Sequence, residues 1–333
     1  MRRRNFIAGL GVAAMLPRSA RAQFTKTSRI AIVHPDIDER ELGIASTHVG
    51  YRALFEELKR LGYSEGVNLV VGRYSAHGRT DLNSQLARDI VATAPAVILA
   101  TNSALVVALV QATTSIPIVG VSSDPVALGV VPNLNRPGGN ITGVSVDQGP
   151  ELWGKRLAIL REAAPQSANF GYLTTRFIWE RMHRKFFAEL AERAGIWLKP
   201  IFLEDTLDES SFQRLFSTMK DDRVDALLVG EDATFFRYRN LIVERVAANR
   251  IPALYTHVSF IEAGGMIVHT NDLVALYRYA ANQIDQILKG TFPGDIPYWL
   301  AAKYNLSINI KTARQLGLEI PATLLVAADE VIE

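Results

Sequence analysis

The sequence predicts an α/β protein with two Rossmann-like lobes, each built on a parallel sheet. Three observations lead to this prediction: apolar β-rich runs alternate with amphipathic segments, the alternation restarts near the middle, and the chain has 333 residues. Alternating strands and helices are typical of doubly wound parallel sheets. A single hydrophobic core seldom extends over so many residues, so we expect two lobes.

The first lobe is predicted from a series of strand and helix pairs. Short apolar runs bounded by turn residues indicate strands, and apolar residues at three- and four-residue spacing indicate helices. The predicted strands are 29–33, 68–74, 96–100, 116–121 and 141–146, and the predicted helices are 49–61, 81–93 and 102–112.

The second lobe repeats this order of elements. The predicted strands are 170–173, 198–203, 226–229, 253–256 and 266–269, and the predicted helices are 152–163, 179–194, 210–219, 241–249 and 273–288. Extended chain over 293–310 and a helix at 312–316 complete it.

The two halves are expected to be joined by a hinge in which the chain crosses several times. No low-complexity linker separates them, and turn residues place the crossings near 142–147, 259–265 and 294–301. The first predicted lobe therefore comprises 24–145 plus 264–292. The second comprises 146–263 plus 293–333.

The first 22 residues have the pattern of a cleaved export signal. Three arginines precede a short apolar run, and Ala20-Arg21-Ala22 has the small-x-small form of a cleavage site, so we predict cleavage after Ala22 and a periplasmic location. The string RRNFI at 3–7 resembles a twin-arginine signal, although the general export route stays open. A basic cytosolic tail would explain neither the apolar run nor the small residues.

Composition excludes several classes of function. The full chain has a formal charge of +2, and removing the leader with its five arginines leaves −3, so no basic surface for nucleic acid is expected. The absence of cysteine excludes disulfides, cysteine nucleophiles and thiolate metal sites. Nucleotide-binding, GxSxG and HExxH motifs are also absent, which favours binding over catalysis.

Short strings along nearly the whole mature chain resemble a family of bacterial ABC-transporter substrate-binding proteins that includes tryptophan- and tyrosine-binding members. They are LGYSEG at 61–66, IPI at 116–118, DPV at 124–126, RPGGNITGV at 136–144, GG at 264–265, ILKG at 287–290, NIKTA at 309–313, LGL at 316–318 and ADE at 328–330. The resemblance implies a type I periplasmic binding protein architecture that closes on a small molecule. It also implies an ABC permease in the inner membrane as partner, and no cofactor.

The chain departs from the family pattern at two places near the expected cleft. It has GGMIVHT at 264–270 and YWLAA at 298–302, where family members commonly have Gly-Gly-Leu-Met-Ser-Tyr-Gly and a Glu-Gln-Pro-like string. The resemblance therefore does not transfer an aromatic amino acid as the ligand. An amino acid or an aromatic or organic acid is expected.

Candidate ligand contacts follow from the rule that ligands bind beyond the carboxyl ends of parallel strands. Eleven residues at or near such positions are predicted to face the cleft: His34, Asn102, Ser103, Ser123, Asp124, Thr175, Trp179, Asp232, Tyr255, His257 and His269.

Each candidate also has an ordinary structural role that stays open. Asn102 and its neighbours can receive a carboxylate or cap a helix. Asp124 can accept a ligand ammonium group or form a turn. Asp232 can reach into the cleft from the other lobe or lie solvated in a loop. Trp179 and Tyr255 can stack on a ligand or pack in a core. The three histidines have no metal-ligand spacing, so no metal is expected.

Two other classes of function remain alternatives at this stage. A periplasmic sensor that presents its ligand to a membrane receptor would have the same fold. An exported hydrolase would place acids such as Asp124 and Asp232 on opposite sides of the cleft. A monomeric solute-binding protein is the preferred interpretation.

Overall fold

The computed structural model describes residues 27–203 and 209–333, and the predicted leader lies outside them. The strands are β1 (Ser28–His34), β2 (Leu69–Ser75), β3 (Val97–Ala100), β4 (Ile118–Ser122), β5 (Ile141–Ser145), β6 (Asn169–Thr174), β7 (Trp197–Phe202), β8 (Ala226–Val229), β9 (Ala253–Tyr255), β10 (Ile267–Asn271), β11 (Trp299–Leu300), β12 (Tyr304–Asn309) and β13 (Glu330–Ile332).

The helices alternate with these strands, as predicted. They are α1 (Val49–Arg60), α2 (Asn83–Ala92), α3 (Ser103–Ala112), α4 (Pro150–Ala163), α5 (Arg176–Ile178), α6 (Arg184–Ala194), α7 (Glu209–Asp221), α8 (Ala233–Arg237), α9 (Arg239–Ala248), α10 (Ser259–Glu262), α11 (Leu273–Leu288), α12 (Ile310–Gln315) and α13 (Ala322–Ala327). A π-helical turn, Trp179–His183, joins α5 to α6.

Each lobe contains one sheet covered by helices on both faces. The first sheet has the order β11-β5-β4-β3-β1-β2 and is parallel throughout. The second has the order β13-β12-β10-β9-β8-β6-β7, and its one antiparallel pair in the described residues is β10 with β12. The predicted α/β class with two parallel-sheet lobes is confirmed.

Apolar strands and amphipathic helices account for the cores. β3 and β8 are buried along their whole length, as strands covered on both faces must be. In the first lobe α1 and α11 pack on one face of the sheet, and α3 packs on the other. Asn102 and Asp272 cap α3 and α11 through their side-chain oxygens, which accept backbone N–H bonds.

The chain crosses between the lobes at three places, and two of them differ from the prediction. β10 lies in the second sheet, not in the first lobe, so the second crossing falls between β10 and α11. β11 pairs with β5 in the first sheet, so the third crossing follows Leu300. The glycine pair that marked the predicted crossing is a turn within the second lobe, where a Cβ on Gly265 would lie 2.7 Å from the Phe260 carbonyl oxygen.

Gly143 explains part of the RPGGNITGV string. A Cβ at this position would lie 1.9 Å from the carbonyl oxygen of Gly120 on β4. Only glycine permits this approach of β4 and β5, the strand pair that leads into the first crossing.

Within the described residues, no helix is long and apolar enough to cross a membrane.

Candidate functional site

A cavity of about 620 Å³ lies between the carboxyl ends of the two sheets. Loops after β1, β3 and β4 line it on the first lobe, and loops after β8, β9 and β10 line it on the second. Its volume is in the range of small-molecule sites. Six of the eleven predicted residues line it: His34, Asn102, Ser103, Ser123, Asp232 and His257.

The first-lobe wall includes the start of α3. The Asn102 side-chain oxygen accepts N–H bonds from Ala104 and Leu105 at 2.8 and 3.3 Å, so Asn102 caps the helix while also lining the cavity. Ser103 Oγ accepts the Ser123 N–H at 3.1 Å, which joins the loops after β3 and β4. A helix N-terminus facing a cavity favours a negatively charged group there.

Imidazole and phenol rings form an adjoining part of this wall. His34 Nδ1 accepts the N–H groups of Asp36 and Ile37 at 3.0 and 2.7 Å, which leaves the ring proton on Nε2. The His48 ring lies 5.2 Å from that of Tyr51 and 5.6 Å from that of Tyr277, between ring centroids. Burial lowers the pKa of His34 well below its usual value and that of His48 to about 4, so both are neutral at pH 7.

The second lobe places a histidine and a phenyl ring opposite. The His257 ring lies 4.3 Å from that of Phe236 and 6.2 Å from that of His48, across the cleft. His257 Nδ1 lies 2.9 Å from Ser259 Oγ and accepts the Ser259 N–H at 3.2 Å. Burial lowers the pKa of His257 to about 3.

A carboxylate that is 15% exposed lines the cavity beside a fully buried guanidinium. Arg156 is fully buried, and its Nη2 donates to Glu231 Oε1 at 2.8 Å and to the His269 carbonyl oxygen at 3.2 Å. Burial raises the pKa of Glu231 to about 7, against the opposing effect of Arg156. Glu231 can therefore receive a cationic group, which would favour its ionised form.

Three polar atoms of the cavity-lining residues are buried without a protein partner: His48 Nδ1, Thr256 Oγ1 and Thr270 Oγ1. Buried polar groups are nearly always hydrogen-bonded, and exceptions call for an explanation. A bound polar molecule would provide the missing partners.

An ion pair joins the two lobes at the cavity. Arg237 Nη1 on α8 of the second lobe donates to Asp36 Oδ1 at 3.0 Å and to the His77 carbonyl oxygen at 3.1 Å, both in the first lobe. Both Asp36 and Arg237 line the cavity. We call this contact the latch, because it joins the two lobes.

The other five predicted residues lie outside the cavity lining, for reasons of local packing. Asp124 Oδ1 accepts the N–H groups of Val126 and Ala127, and Thr175 Oγ1 accepts that of Ile178. The two aromatic residues pack in the second-lobe cores, Trp179 against Tyr172 and Tyr255 against Phe260. His269 lines a different cavity, at the lobe crossings, and belongs to the second sheet, not the first.

Sequence reasoning missed His48, Phe236, Arg237 and Tyr277 as cavity residues. None of them directly follows a strand: His48 precedes α1, Phe236 and Arg237 end α8, and Tyr277 lies within α11. Only the packing of α11 beside α1 brings the Tyr277 ring to the cavity.

The three strand-end histidines do not converge. His34 and His257 line the main cavity, whereas His269 lines the other. Across residues 27–203 and 209–333 there is no group of three or more histidine, cysteine or acidic side chains arranged to hold a metal ion.

Comparison with known proteins agrees with this two-lobe arrangement. The chain is 21% identical over 294 residues to a tyrosine-binding protein of Clostridioides difficile, covering 86% of this chain and 79% of that protein. It resembles the structure of a conserved domain protein from Vibrio cholerae, with a TM-score of 0.80 and 25% identity over 92% of this chain and 100% of that one. The structure of an ABC domain from Streptococcus pneumonia in complex with L-Trp matches with a TM-score of 0.79 and 22% identity, over 92% and 100% of the chains.

A family model covers nearly the whole described chain. The model for ABC transporter substrate binding proteins matches residues 42–332, which include both lobes and all three crossings. The folds of the solved relatives and the sheet orders described above are those of type I periplasmic binding proteins. The chain therefore belongs to the ABC transporter substrate-binding protein family.

Proposed function

We propose that this protein is the periplasmic solute-binding component of an ABC-type uptake system. It captures an amino acid or an aromatic or organic acid in the cavity between the lobes and delivers it to a membrane permease. The supporting observation is the set of three unpartnered buried polar atoms that belong to residues lining this cavity. The tyrosine-binding and L-Trp-bound relatives support the same class of ligand.

The cavity favours a particular orientation of such a ligand. Its carboxylate would lie at the start of α3, near Asn102 and Ser123, where the helix dipole favours an anion. An ammonium group would lie near Glu231, and an apolar or aromatic part would contact Phe236 and His257. The hydroxyls of the two threonines would complete the polar contacts.

The Thr256→Val and Thr270→Val variants test this proposal. Each substitution keeps the shape of the side chain and removes an unpartnered hydroxyl, so the melting temperature should stay the same or rise. Ligand affinity should fall about 5- to 150-fold for each hydroxyl that binds the ligand. Thr218→Val, at an exposed position on α7, is the matched control and should change neither property.

The ligand itself is to be identified by native mass spectrometry of the purified protein and then titrated by calorimetry, with L-tyrosine and L-tryptophan as first probes. Binding unaffected by either threonine variant would contradict the proposed cavity. Chemical turnover of the released ligand would favour the hydrolase alternative. Co-purification with a membrane receptor instead of a permease would favour the sensor.

Export and assembly complete the proposal. The predicted leader is cleaved after Ala22, and the mature chain acts as a monomer in the periplasm. Edman sequencing of the periplasmic fraction should start at Gln23, and light scattering should give the mass of a single chain. An unprocessed N-terminus would contradict the export prediction.

A further inference from the structure

A second cavity, of about 390 Å³, lies where the chain crosses between the lobes. Gln148 lines it from the first crossing, His269 from the strand before the second, and Lys303 from the third. The first turns of α4 form another wall, through Glu151 and Lys155. It shares no lining residue with the main cavity.

The charges around this crossing cavity are unevenly paired. Lys155 and Lys303 are exposed, and neither takes part in an ion pair in the described residues. Glu151 is the acidic residue among the lining side chains, so two ammonium groups accompany one carboxylate. The start of α4 contributes backbone N–H groups at Glu151 and Leu152 that have no acceptor within the helix.

A buried side chain without a hydrogen-bond partner is a separate indication that a ligand binds in this cavity. His269 is 1% exposed, lines the crossing cavity and stacks on the Tyr304 ring at 5.4 Å. Its Nδ1 has no hydrogen-bond partner. Burial, together with the nearby Arg156 and Lys155 and against the opposing effect of Asp329, lowers the pKa of His269 to about 3, so the ring is neutral at pH 7 and can donate one N–H.

We infer that the crossing cavity binds a small oxyanion, a carboxylate or a phosphate, between Lys155, Lys303 and His269. The positive charges of Lys155 and Lys303, which line the cavity, favour an anion there. Because its walls lie at the first and third crossings and on the strand that precedes the second, the cavity must change shape when the lobes rotate. An anion that binds this arrangement more tightly than the open one shifts the protein towards closure.

The experiment uses the mature full-length protein with inorganic phosphate, acetate or chloride at matched ionic strength. Isothermal calorimetry should show saturable binding of phosphate or acetate, and which of the two binds identifies the oxyanion. At ten times the dissociation constant, the bound anion should raise the melting temperature by about 2 °C. Chloride at the same ionic strength controls for screening.

The Lys155→Ala/Lys303→Ala double variant should bind the anion at least about tenfold more weakly, a change expected when two charged contacts are lost. Lys311→Ala, which removes an exposed lysine on α12, should bind it like the wild type. Small-angle scattering should show a smaller radius of gyration with the anion than with chloride. Absence of saturable binding, or equal binding by the double variant, would overturn the inference. Binding of L-tyrosine or L-tryptophan in the main cavity is measured in a separate titration. The proposal for one cavity can therefore be contradicted without affecting the proposal for the other.

Discussion

The latch should make ligand binding sensitive to a single side chain outside the ligand contacts proposed above. Arg237→Ala removes the ion pair with Asp36 and the hydrogen bond to the His77 carbonyl oxygen. The Arg237 side chain is 46% exposed, so solvent screens the pair. An exposed ion pair contributes about 0.2–1 kcal/mol, and the charged hydrogen bond to the His77 carbonyl oxygen contributes no more than about 1.5 kcal/mol. The latch therefore stabilises the contact between the lobes by about 1–2 kcal/mol.

This free energy should appear in ligand binding, because the latch joins the two lobes between which the proposed ligand lies. Losing about 1–2 kcal/mol corresponds to a dissociation constant raised about 5- to 30-fold, mostly through faster dissociation. Calorimetry and stopped-flow fluorescence with the identified ligand measure both quantities. The difference between wild type and variant should shrink as NaCl rises from about 0.05 to about 0.5 M, since salt screens the exposed pair.

Two controls decide whether the latch is responsible. Arg184→Ala breaks an exposed ion pair with Glu180 inside the second lobe and should leave affinity unchanged. A double-mutant cycle with Asp36→Ala should show that the two substitutions are not additive. The reasoning would be refuted if the Arg237→Ala and Asp36→Ala effects on ligand affinity were additive. It would also be refuted if Arg184→Ala bound the ligand as weakly as Arg237→Ala.

Further predictions concern single residues. Gly143→Ala should destabilise the fold by more than about 3 kcal/mol in urea denaturation, because its Cβ would collide with the β4 backbone, whereas Gly139→Ala, with open space around it, should be tolerated. The pKa of Glu231 is higher in the folded than in the unfolded protein. As pH rises from 4.5 to about 7, the free energy of unfolding of the wild type should therefore fall by up to about 3 kcal/mol relative to that of Glu231→Gln. His257 behaves oppositely: its folded pKa of about 3 means that stability falls as pH drops from 6.5 towards 3, and His257→Gln should flatten this dependence in thermal melts. Asp124→Ala should cost about 1 kcal/mol of stability through its lost turn bonds and leave the calorimetric affinity unchanged; a large loss of affinity would restore it as a ligand contact.

The polar wall of the cavity was the part of the site most open to sequence analysis. His34 ends β1, and Asn102, Ser123 and His257 follow strands, while parallel strands bring their carboxyl ends to the same edge of a sheet. The same rule was too broad for Thr175, whose hydroxyl caps a helical turn. A position after a strand predicts nearness to the edge, but local hydrogen bonds decide where the side chain points.

The aromatic and charged parts of the site depend on long-range contacts, which local sequence patterns do not predict. Tyr277 reaches the cavity because α11 packs beside α1, more than two hundred residues apart in sequence. Arg237 meets Asp36 only across the cleft. The predicted crossing near the glycine pair was displaced because Gly265 is required by close packing against Phe260, which produces the same sequence signal as a hinge turn.

The amino-acid sequence alone determined the α/β class, the two lobes, the chain's resemblance to solute-binding proteins and the strand ends that face the cleft, since these follow from periodicity, turn residues and the family strings. The tertiary structure decided which lobe contains β10 and β11, which rings line the cavity, and where the latch and the crossing cavity lie. The physical reason is range: hydrophobic periodicity and capping are local, whereas helix packing and ion pairs across a cleft join residues that are distant in the chain.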